Sequence, residues 1–150
     1  MKLARVTAAC ACLLLALSTI AAAADLLTVA DVEKVSGLTG LQLVPKNQAT
    51  GAGGDLNFAG PDKKLVAIVM ISTSMWDFWK KQYSAAGEPV AGVGTEAFRT
   101  KPGAIISYVV VHKGNTAVWV QSMGWKKDGS ATLTSAQLTD LAKLAAARLP

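Results

Sequence analysis

Both cysteines of this chain, Cys10 and Cys12, fall within its first 24 residues, so residues 25–150 must reach a fold with no disulfide to hold them. The segment that carries the thiols reads as a secretory leader. Lys2 and Arg5 form a short positive start, residues 6–20 are apolar, and Ala22-Ala23-Ala24 places small residues at the spacing a signal peptidase cuts. Cleavage is expected between Ala24 and Asp25, with Ala23 the fallback one residue earlier. This predicts a signal peptide at 1–24 and a single domain at 25–150, periplasmic or secreted, that meets a membrane only through its leader during export. An uncleaved anchor is the competing reading. The Ala-rich composition and the lack of positive residues on the far flank weigh against it. Lipidation is disfavoured too, because Leu13-Leu14-Leu15 follows the cysteines when it should precede them.

A cysteine-free exported domain excludes a disulfide scaffold, thiol redox chemistry and thiolate zinc sites. A chain of this size buries roughly two-thirds of its unfolded surface, enough for an independent core. Without Lys2 and Arg5 the formal charge of +5 falls to +3, too weak a surplus to argue for nucleic acid. The basic residues come as pairs, Lys63-Lys64, Lys80-Lys81 and Lys126-Lys127, and read first as solvated turns and helix faces. Contact with anionic envelope surfaces is the lesser reading.

Three helices carry start signals. Thr28 can cap the first, with Asp31 at the capping-box position, Leu27 and Val32 spaced as a hydrophobic staple, and Gly37 as the stop. Ser74, with Asp77 three residues on, is expected to open the second; Met75, Trp76, Phe78, Trp79, Gln82 and Tyr83 share one arc of its wheel, opposite Asp77, Lys80 and Lys81. Thr134 with Gln137 repeats the capping signature, and the third helix should bury Leu138, Leu141, Ala142, Ala145 and Leu149. Between helices the period falls to two. Strands are expected at 56–59, 65–71, 104–112 and 116–123, with a shorter one at 41–44 and a loop at 50–54. The order argues for an α+β fold, an antiparallel sheet carrying about three helices, in two loosely repeated halves.

Catalytic motifs are weak. Gly92-Val93-Gly94-Thr95-Glu96-Ala97 matches a relaxed dinucleotide fingerprint, but the residues after it are not helical, and a glycine-permitted turn into a strand explains it better. Gly51-Ala52-Gly53-Gly54 lacks the Lys-Ser/Thr of a phosphate loop. His112 is the one histidine, and no serine elbow accompanies it. No cofactor and no metal site are implied.

The hairpin yields a sharper expectation. Closed at Gly114-Asn115, it pairs His112 with Ala117, Val110 with Trp119 and Tyr108 with Gln121. Val109, Val111, Val118 and Val120 then share one face, which should be core. Tyr108, His112, Trp119 and Gln121 share the other. That face either lies beneath a helix or forms a ligand- or partner-binding surface, and the second option requires a partly accessible Trp119 ring.

Several segments resemble bacterial exported domains related to the extracytoplasmic sensor domain of an actinobacterial receptor Ser/Thr kinase. They are Leu27-Thr28-Val29-Ala30-Asp31-Val32 opening a helix, the Gly-rich approach to 55–58, the turn from Gly92 to Phe98, Lys113-Gly114-Asn115, and the Leu-rich last helix. Members of that group often carry disulfides, which residues 25–150 cannot form. The resemblance implies a sensor-like role and no catalytic residues. The leading expectation is a non-catalytic exported domain that binds a small ligand or an envelope protein. Two alternatives stay open: a secreted hydrolase using carboxylates or His112, and a structural envelope component. Oligomeric state is not legible.

Overall fold

In the computed structural model, which describes residues 25–46, 54–101, 104 and 106–150, three helices flank one antiparallel sheet, so the fold is α+β. The expected leader and most of the expected loop at 50–54 lie outside the described residues. Helix α1 (Val29–Ser36) begins at a complete capping box: the Thr28 hydroxyl accepts from the Asp31 amide at 3.2 Å, and Asp31 Oδ2 accepts from the Thr28 amide at 2.8 Å. Gly37 ends it at φ 73°, a left-handed turn that glycine adopts without strain. Helix α3 (Ser135–Arg148) repeats the box with Thr134 and Gln137.

Four strands form the first part of the sheet and its partner: β1 (Gln42–Leu43), β2 (Leu56–Ala59), β3 (Leu65–Ser72) and, from the far end of the chain, β7 (Thr116–Ser122). The remaining strands are β4 (Gly87–Pro89), β5 (Glu96–Thr100) and β6 (Tyr108–Lys113), and the order across the sheet is β1-β2-β3-β7-β6-β5-β4. Two meanders therefore meet through their last strands. The structure does not confirm two repeated halves, because the helix after β3 and the helix after β7 lie on opposite faces. β6 also starts later than the expected 104: the Ala104 amide turns back to Lys101 O, and regular pairing begins with Tyr108 opposite Gln121.

The core sits between one sheet face and helices α1 and α3. Val109, Val111, Val118 and Val120 are fully buried there with Leu138, Leu141, Ala142 and Ala145, as alternation along the hairpin requires. Polar ties hold the two helices together. Arg148 grips Asp31 through both guanidinium nitrogens at 2.6 and 3.0 Å, and Gln137 Nε2 donates to the Val35 and Ser36 carbonyls at the end of α1. Lys113 Nζ donates to the carbonyls of Ala146 and Leu149, meeting the negative end of α3 with a positive charge. No helix among the described residues is long and apolar enough to cross a membrane.

Helix α2 (Trp76–Tyr83) departs from its sequence signal. The expected Ser74 cap does not form; the N-cap falls one residue later at Met75, whose side chain makes no capping hydrogen bond. The Ser72 hydroxyl at the end of β3 accepts from the amides of Ser74 and Met75 and so fixes the approach to the helix.

Candidate functional site

The hairpin register matches the expected one: Tyr108 opposite Gln121, Val110 opposite Trp119, His112 opposite Ala117. The face opposite the valines thus carries Tyr108, His112, Trp119 and Gln121, and α2 lies across it. Its backbone is held off the sheet by large rings. Trp79 meets Trp119 edge-on at 5.7 Å between centroids, and Tyr83 fits between Trp119 at 4.5 Å and Tyr108 at 5.0 Å. Trp76 lies flat on His112 at 4.6 Å and 9°, with Phe98 stacked beyond at 6.1 Å. On the β5 side, Lys80 Nζ reaches Glu96 Oε2 at 2.8 Å and stands 6.0 Å from the Trp76 ring.

Four predicted site residues therefore meet two fates. Tyr108 and Trp119 are each 5% exposed beneath α2, so of the two alternatives for this face the structure shows packing under a helix, and the one that required an accessible Trp119 ring is set aside; two aromatic faces in contact exclude water better than either alone. Burial also pushes the Tyr108 phenol up from its ordinary value. Trp119 Nε1 is buried with no hydrogen-bond partner, the one such side-chain atom among the described residues. His112 and Gln121 stay half-buried at the rim. The His112 imidazole makes no hydrogen bond with a described residue, and no group of three His, Cys, Asp or Glu side chains converges among them.

The wheel of α2 placed too much of its arc inside. Met75 and Phe78 are 36% and 55% exposed, whereas Trp79 is buried. At about 100° per residue, the Lys80–Glu96 pair turns one flank of α2 toward β5 and leaves Met75, Phe78 and Gln82 on the other flank, toward β7 and β3. A helix that touches a sheet along one line buries a stripe narrower than this arc, and that excess width was the available signal.

A concavity lies at the turn end of the hairpin. The turn Gly92-Val93-Gly94-Thr95 and the last turns of α3 enclose about 340 Å³, with Lys113 and Lys143 on its walls. Gly94 takes φ 60° where a Cβ would meet the His112 carbonyl at 2.5 Å, so the glycine serves a close approach of two backbones. The turn leads into strand β5, with no helix N-terminus, and the helix end that faces it is the negative one. Both lysines are engaged, Lys113 with the α3 carbonyls and Lys143 with Asp140 at 3.3 Å. This is not the cradle a dinucleotide phosphate needs, and no aromatic ring lines it.

Comparison of the chain with family models, curated proteins and solved structures finds no match.

Proposed function

We propose that this chain is an exported, non-catalytic binding domain, sensor-like as its resemblance to kinase ectodomains implies, which takes a small ligand or an envelope protein on the free flank of α2. One observation carries this reading. Phe78 and Met75 present a large exposed apolar surface on a short helix whose underside is fully committed to rings. Apolar anchors ringed by polar groups are how small binding sites gain energy, and here Gln82 and Gln121 supply the rim. In this arrangement Tyr108 and Trp119 hold α2 in place from below. His112 fixes Trp76 on the opposite flank, toward β5.

Phe78→Asp tests the reading because the residue is more than half exposed. Its thermal unfolding should stay within ~0.5 kcal/mol of wild type. Native mass spectra of protein recovered from the periplasm should show a bound mass on wild type that the variant loses, and the N-terminus should be Asp25. Retention of that mass by the variant, or none on wild type, would overturn the α2 site. An N-terminus at Met1 would overturn export.

A further inference from the structure

We infer that the end of the sheet carrying the Trp125-Lys126-Lys127 turn is a docking surface for anionic phospholipid headgroups, separate from the α2 flank. Strand register brings its parts together. Ala67 pairs with Ser122, so the β2–β3 turn at 60–64 lies beside the segment that leaves β7. Tyr108 pairs with Gln121, and Ser122 donates to Ser107 O, which brings the β5–β6 connection to the same end. Gln42 opposite Ala59 and Gly87 opposite Thr100 add the approaches to β1 and β4.

These connections hold Lys63, Lys64, Lys101, Lys126 and Lys127, all exposed, against Asp62 and Asp128. That surplus of three equals the whole net charge of residues 25–150; the other eight bases and eight acids cancel. A third carboxylate, Glu33, reaches this end from α1 and accepts from the Leu41 amide at 2.9 Å; Asp62 is occupied by Lys64 at 3.0 Å and Asp128 by the Ser130 hydroxyl at 2.6 Å. Those hydrogen bonds hold the Asp62 and Asp128 carboxyls below the usual carboxylate range.

Apolar side chains stand among the lysines. Trp125 is 60% exposed, Ile106 52% and Leu38 36%, half of the large exposed hydrophobics of the described residues. Trp125 sits on a small hairpin: it bridges to Ala131, and Lys126 accepts from Gly129 at 3.0 Å across the tip. An indole beside two lysines suits the headgroup layer, where the ring takes the apolar boundary and the ammonium groups meet phosphate. Nucleic acid would use the charge but not the aliphatic side chains.

Vesicle flotation of the exported chain tests this, with phosphatidylcholine vesicles containing phosphatidylglycerol against phosphatidylcholine alone. Binding is expected only to the anionic vesicles, weakening with salt. Lys126→Ala with Lys127→Ala should reduce it by roughly tenfold or more. Trp125→Ala should reduce it several-fold with an unchanged salt slope. Lys46→Ala with Lys143→Ala removes the same charge at the opposite end and should leave it nearly unaltered. Equal losses from the two lysine pairs, equal binding to both vesicle types, or preference for a soluble single-stranded DNA over anionic vesicles would each overturn the proposal.

Discussion

Replacing Trp119 with Ala should collapse the aromatic face. The indole is 5% exposed and meets three rings, Trp79, Tyr83 and Tyr108, at 5.7, 4.5 and 4.9 Å between centroids. Removing roughly 200 Å² of ring from water at ~25 cal/mol/Å² is worth about 5 kcal/mol as an upper bound. The orphaned Nε1 opposes this, since a buried donor without a partner costs about 1–3 kcal/mol. The net loss on truncation is roughly 2–4 kcal/mol, overlapping the range expected when rings held by both α2 and the sheet cannot close the cavity. Trp119→Phe isolates the donor. It keeps most of the ring and deletes the unpaired N–H, so it should cost ~1 kcal/mol or less. Urea titration followed by far-ultraviolet circular dichroism measures both, provided the slope stays constant across variants. A Trp119→Ala loss under ~0.5 kcal/mol would refute the burial argument, and a Phe variant as damaged as the Ala variant would refute the role given to the orphaned nitrogen.

Two other outcomes follow from the opposite face. Hydrogen bonds from Arg148 hold the Asp31 carboxyl well below the usual carboxylate range, so its stabilisation is complete above the unfolded value near 4 and fades as pH falls toward the folded one. Wild type should lose stability on acidification from about pH 5 downward, while Asp31→Asn should flatten that decline and cost about 1–2 kcal/mol at neutral pH; parallel acid slopes in the two proteins would contradict this. Gly94→Ala should lower the melting temperature far more than Gly92→Ala, because both glycines have positive φ but only Gly94 has the His112 carbonyl at 2.5 Å from a built Cβ. The reverse order would show that the turn relaxes freely.

Much of the fold was readable because its signals are local. Thr28 with Asp31 and Thr134 with Gln137 each satisfy amides within four residues, so the caps of α1 and α3 stand where the sequence places them. The hairpin register was readable for a related reason: side chains alternate strictly, and Gly114-Asn115 sets the parity that buries the four valines. The same local signature failed at Ser74, where the Ser72 hydroxyl holds the Ser74 and Met75 amides and the N-cap falls at Met75. β4 was not anticipated, since Gly87-Glu88-Pro89 has no strand pattern and pairs only because β5 presents an open edge.

By itself, then, the sequence determined the class of fold, two of the three helix starts, the core face of the hairpin and the absence of thiols from residues 25–150. It could not say what lies over Trp119, nor that Lys63-Lys64 and Lys126-Lys127, more than sixty positions apart, share one end of the sheet. Both depend on which strands become neighbours. β3 joins β7 because each buries both faces, Val69 with Val120 toward α1 and α3, Met70 with Trp119 toward α2. That pairing buries apolar side chains on both faces of the sheet at once, and no window of a few residues contains it.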